Sequence, residues 1–205
     1  MSEPILSKHD APEAPRALIL MFHGGKDRST QDVDGRSLSW QRSLGMQRAI
    51  APAANRDGVG VWLLRYRQRG WNGGRDRIAD ARWALEQART EHHGLPVALL
   101  GHSMGARVAV HVADDPQVRG VVTLAPWFPG GEHINALAGR HLVAAHGRRD
   151  RITSFKATAA YVERARAVAR SAEMRDMGPV GHYMLKGAPA WNDVALTASL
   201  GVLTD

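Results

Sequence analysis

A chain of 205 residues suits one domain, and 44% hydrophobic with 23% charged residues excludes a disordered or fibrous polymer. The absence of cysteine rules out a disulfide framework, thiolate-bound metals and a thiol nucleophile. A net charge of +7 raises the question of nucleic acid. The densest basic group, Arg65, Arg67, Arg69, Arg75 and Arg77, runs from a predicted strand into a Gly-rich loop without an aromatic stacking platform, so an arginine-rich solvated surface is expected and no nucleic-acid partner.

Residues 1–16 read as a polar segment, with no apolar run of signal-peptide length. No stretch elsewhere is long enough to span a bilayer, so a cytoplasmic protein without a membrane partner is expected. Residues 17–22 form the first continuous apolar run, ending at Gly24 and Gly25 as a buried parallel strand should. Further strands are predicted over 59–64, 97–100, 118–124 and 142–145, with a weaker one over 172–177. Helical spacing fills the gaps over 36–55, 76–92, 106–113, 154–170 and 191–203; in the second of these, Ile78, Ala81, Leu85 and Ala88 share one face. Strict alternation of strands and helices predicts a three-layer α/β/α sandwich with a mostly parallel, doubly wound sheet, as one domain over 17–205. About sixteen residues separate the strands near Leu124 and His141, too few for a cap domain, so the site should be open.

Gly101-His102-Ser103-Met104-Gly105 lies between a buried strand and a helix, the setting that a nucleophile elbow requires. The serine occupies a strained turn, and a Cβ at Gly101 or Gly105 is expected to strike the neighbouring strand or helix. The helix that follows directs its N-terminus at Ser103 and offers the backbone N–H of Met104 to an oxyanion.

With these residues in hand, the chain resembles the α/β-hydrolase superfamily, in its small cap-less branch that includes dienelactone-hydrolase-like and S33-peptidase-like members. The resemblance runs from Ala17 to Leu203 and rests on four motifs in family order: His23-Gly24-Gly25, Gly101 to Gly105, His146-Gly147-Arg148-Arg149-Asp150, and Gly181-His182-Tyr183. It implies Ser103 as nucleophile, His182 as base and Gly25 as second oxyanion donor, with Lys26 as the alternative donor. Asp150 is implied as the acid that fixes the imidazole tautomer. Asp176 is its rival, being nearer to His182 in sequence, but an arginine is its expected partner. His102 is read as a packing or hydrogen-bonding neighbour, His146 as part of the turn before the acid, and His92-His93 as an exposed helix end rather than a metal site.

Arg148, Arg149 and Arg151 either lower the pKa of Asp150, attract an anionic group or are solvated. Trp127 and Phe128 follow a strand at its carboxyl end, where open α/β sheets build ligand crevices, and are candidate walls for the substrate; residues 69–74 open from the same edge. The expected reaction is hydrolysis of a small or medium ester or thioester, a small-molecule acyl substrate, with no metal or organic cofactor. Amidase or peptidase, lactonase and perhydrolase chemistry use the same triad, and a non-catalytic binding protein on this scaffold is the alternative of a different class.

Overall fold

The computed structural model describes residues 3–204. Seven strands form one sheet in the order β1-β3-β2-β4-β5-β6-β7. They are β1 (Ile5–His9), β2 (Ala17–Phe22), β3 (Val59–Arg65), β4 (Val97–His102), β5 (Val118–Leu124), β6 (His141–His146) and β7 (Ser171–Asp176). Five helices connect or follow them: α1 (Leu38–Arg56), α2 (Arg75–His92), α3 (Met104–His111), α4 (Phe155–Ala165) and α5 (Ala188–Thr204). Among these described residues, no helix is long and apolar enough to cross a membrane.

Every neighbouring pair is parallel except β1 with β3. Parallel strands covered on both faces need apolar side chains in both directions, which is why β2 and β4 are buried at every position. The crossover from β2 through α1 to β3 runs one way along the sheet, and those through α2, α3 and α4 run the other. Right-handed crossovers therefore put α1 on one face and the other three on the opposite face. The last helix, α5, packs against α1 and completes the first layer. The expected three-layer sandwich and lidless outline are both present.

The polar start holds an element that the pattern reading lacks. Residues 5–9 form the antiparallel edge strand β1, with Ile5 opposite Arg65 and His9 opposite Val61. None of its side chains is fully buried, and only Ile5 and Leu6 are apolar, so it carries too little apolar signal to be read locally. Helix α3 begins at Met104, two residues earlier than its spacing suggests, and α4 ends at Ala165 rather than near 170.

The basic group entering the loop before α2 is not simply solvated. Arg77 is buried and pairs with Asp80 at 3.5 Å, Arg67 pairs with the same carboxylate at 2.6 Å, and Arg69 pairs with Asp34 at 3.1 Å. These side chains hold the segment against the sheet.

Candidate active site

The four motifs meet at the carboxyl ends of β2, β4, β6 and β7, because parallel strands deliver all their following loops to one edge. Ser103 stands between β4 and α3 at φ 55° and ψ −116°, a conformation unusual for a residue with a side chain. The flanking glycines make that turn possible. A Cβ on Gly101 would lie 2.5 Å from the backbone of Ala106, and one on Gly105 would run into the carbonyl of Phe22.

Ser103 Oγ lies 3.0 Å from His182 Nε2, and His182 Nδ1 lies 2.7 Å from Asp150 Oδ2. With Nδ1–H donating to the carboxylate, Nε2 turns its lone pair to the serine hydroxyl. All three side chains are buried to within a few per cent of full enclosure.

Asp150 is more elaborately held than sequence spacing suggests. Its Oδ1 accepts the N–H groups of Ile152 and Thr153, each at 2.8 Å, while Oδ2 receives the Thr153 hydroxyl at 2.9 Å and faces His146 Nε2 at 3.1 Å. Burial pushes this carboxyl up, but the hydrogen bonds from His146, His182, Thr153 and Ile152 outweigh it and hold the pKa well below the usual carboxylate range. His146 is therefore more than part of a turn: it is fully buried, with Nδ1 2.8 Å from Thr158 Oγ1, and braces the acid from the side opposite His182. Thr153 was missed by motif reading, although an Asp whose side chain can accept N–H groups two and three residues onward is a local turn signal.

The rival acid is engaged elsewhere. Asp176 Oδ2 accepts Arg148 Nε at 2.5 Å on an exposed part of the surface, as the expected arginine partner. Arg149 and Arg151 are exposed.

Gly25 and Met104, the two expected oxyanion donors, come together. A Cβ on Gly25 would press on the Met104 side chain, 2.6 Å from Sδ, and on the carbonyl of Arg69. The alternative donor, the Lys26 N–H, is already given to the Arg69 carbonyl at 2.9 Å.

His102 faces His182 with ring centroids 5.0 Å apart, and its Nε2 lies 3.1 Å from the His182 carbonyl. It is a hydrogen-bonding neighbour, as its place in the elbow suggests. Burial, with the nearby His182 and Arg42 acting in the same direction, lowers its pKa to about 3, so it stays neutral and donates from Nε2.

The expected aromatic walls are not where the sequence reading puts them. Phe128 is buried and stacks on Tyr161 of α4 with centroids 3.9 Å apart. Trp127 meets the edge of Trp71 at 6.4 Å, beneath the guanidinium of Arg107. Both rings are spent on packing the loop after β5. The cleft beside Ser103, about 580 Å³, is lined instead by the first turns of α1, including Leu38, Arg42 and Gly45, and by Tyr183 and Leu185 just after His182.

Among the described residues, one group of side chains has metal-ligand atoms within mutual reach: Asp10, Glu91 and His92. It lies beside Gly60 near the start of β3, at the other edge of the sheet from Ser103, with Asp10 accepting from Trp62 Nε1 at 2.6 Å and Lys8 on Glu91. It takes no part in the site.

A family model described as serine aminopeptidase, S33, matches residues 13–145. No curated protein matches the sequence. Among solved structures, an α/β serine hydrolase homologue from Coxiella burnetii is 14% identical, with 95% of this chain and 91% of that one covered and a TM-score of 0.74. A serine hydrolase without a lid from Xanthomonas campestris is 16% identical over 96% and 94% of the two chains, with a TM-score of 0.68. The esterase Est2 from Thermogutta terrifontis, solved with butyrate bound, is 14% identical over 99% and 90%, with a TM-score of 0.72.

Proposed function

We propose that this chain, which belongs to the serine aminopeptidase S33 family of α/β-hydrolases, hydrolyses small or medium carboxylic esters or thioesters through an acyl-enzyme on Ser103. The observation that carries the reading is the continuous relay from Asp150 Oδ2 through His182 to Ser103 Oγ, at 2.7 and 3.0 Å.

His182 Nε2 takes the proton of Ser103 as Oγ attacks the substrate carbonyl carbon. The carbonyl electron pair moves onto oxygen, where the N–H groups of Gly25 and Met104 receive it, at the N-terminal end of α3. Collapse expels the alcohol or thiol, which leaves with the proton from His182. Water then adds to the acyl-enzyme by the same route, its proton passing to His182 and back to Ser103, and the carboxylic acid departs. Asp150, kept ionised by its four hydrogen-bond partners, stabilises the imidazolium in both halves.

The family description names a peptidase, and amide cleavage uses the same groups. An aminopeptidase, however, must hold the free α-ammonium of its substrate. The cleft beside Ser103 has no carboxylate among its lining side chains and one cation, Arg42, which favours esters.

The test is intact mass after exposure to a fluorophosphonate. Adduct formation on the wild type and none on Ser103→Ala is the expected result, since capture needs an activated serine and no knowledge of the substrate. A folded wild-type protein that stays unlabelled would overturn the reading in favour of a binding protein on this scaffold.

A further inference from the structure

Helix α1 buries Trp40, Met46, Ile50 and Ala54 in the core, and a second stripe of it, turned away from that core, faces open space. Leu38, Gln41, Arg42 and Gly45 stand at i, i+3, i+4 and i+7 and all line the cleft beside Ser103. Across from them, Tyr183 and Leu185 come from the loop after His182. Leu38 is 86% exposed, Tyr183 62% and Leu185 74%, and these three account for most of the large apolar side chains left uncovered among the described residues. Three uncovered apolar side chains converging on a reactive serine mark a surface that an apolar ligand covers.

Gly45 is the telling position. A glycine inside a helix is less stable than alanine, so it usually answers a packing or backbone need. Neither need exists here: Gly45 has no positive φ, and a Cβ built on it would meet nothing within 4 Å. What the missing side chain does is leave room in the cleft. Arg42 spends two of its five N–H donors on the loop rather than the cleft, Nε and Nη2 being donated to the carbonyls of Tyr183 and Met184 at 2.8 and 2.7 Å, and its charge is the reason an anionic substrate is included in the test below.

We infer that the cleft between α1 and the 183–185 loop is the specificity pocket for an uncharged, apolar group of the ester, and that Gly45 sets the length it accepts. The inference rests on Ser103 being the nucleophile. Each methylene that the pocket buries is worth roughly fourfold in kcat/KM until the pocket is full.

The experiment measures kcat/KM for two ester series, 4-nitrophenyl acetate to octanoate and methyl to hexyl acetate, on wild type, Gly45→Leu and Gly201→Leu. Gly201 is the control because it too is an open glycine within a helix, α5, and it lies outside the cleft. In at least one series the long-to-short ratio is expected to exceed tenfold for wild type and Gly201→Leu and to fall at least tenfold in Gly45→Leu, with no loss in Tm. The responding series identifies the half of the ester that the pocket holds. Ratios in both series that Gly45→Leu leaves unchanged would overturn the inference while fluorophosphonate labelling still upheld Ser103. A 4-nitrophenyl adipate monoester cleaved faster than the hexanoate would overturn it in favour of an anionic group. Failure to label Ser103 or to turn over any ester would sink both readings.

Discussion

Arg42, on α1, donates Nη2–H to the carbonyl of Met184 at 2.7 Å, two residues beyond His182. Its Nε holds the Tyr183 carbonyl at 2.8 Å, and His102 Nε2 holds the carbonyl of His182 itself at 3.1 Å. Three successive carbonyls are thus tied to the body of the protein, through a turn in which Met184 takes φ 55°. A strained residue keeps such a conformation only when its surroundings over-determine it.

Arg42→Ala should therefore lower kcat by on the order of 10- to 100-fold on a short ester, since an imidazole displaced by an ångström loses much of its catalytic power. Arg42→Lys keeps the charge but not the two-pronged geometry, so it should recover only part of the loss. Steady-state kinetics with added guanidinium will tell: partial rescue of Arg42→Ala is expected, and wild-type kcat without rescue would show that the loop holds His182 unaided.

Asp150→Asn should fall by about 10³- to 10⁴-fold in kcat, because an amide in place of the carboxylate favours the wrong imidazole tautomer. Asp176→Asn should stay within about twofold of wild type, as that carboxylate is paired with Arg148 on the surface. The opposite pattern in the same assay would transfer the acid to Asp176.

Thr153→Val removes the hydroxyl that Asp150 Oδ2 accepts at 2.9 Å and leaves the shape of the side chain almost unchanged. A buried carboxylate one hydrogen bond short should cost about 1–3 kcal/mol of stability. Thr153→Ser should restore it. Urea unfolding of the three proteins measures the difference, and a Thr153→Val midpoint equal to wild type would show that water replaces the hydroxyl.

Stability should drop as pH falls below neutrality. Burial lowers the pKa of His23 to about 4 and of His102 to about 3, against 6.5 in the unfolded chain. Between those values the unfolded chain binds protons that the folded one does not. The stability is fully present above pH 6.5 and is lost as pH falls toward 4 and 3, at up to about 1.4 kcal/mol per pH unit for each histidine. Asp150, held low in the folded state, adds a further loss once pH passes below 3.8. Urea midpoints at pH 8, 6.5 and 5 check the sign: a plateau from 8 to 6.5 and a fall by pH 5 are expected, and a flat profile would mean that both rings are protonated without unfolding.

That Ser103, Asp150 and His182 would meet was legible because each sits in a motif whose backbone requirement is local. Gly101 and Gly105 announce a turn with no room for a Cβ, and the apolar runs before Gly24-Gly25 and before His146 announce strands buried on both faces. The layered, mostly parallel sheet followed from alternation, whereas the strand order came from the structure. Less legible were elements whose reason lies in a distant partner. β1 exists because β3 offers it an open edge, and no periodicity within residues 5–9 reports that.

By itself, then, the sequence determined the architecture and the four loops that meet at one edge, since those depend on short-range sterics and on apolar pattern. Only the tertiary structure decided what surrounds them. Phe128 turned to Tyr161 and Trp127 to Trp71 and Arg107, while Leu38, Gly45 and Leu185 became the walls of the cleft. An aromatic ring or a leucine is equally content against any apolar neighbour, and which neighbour it meets is set by contacts tens of residues away, beyond the reach of any local pattern.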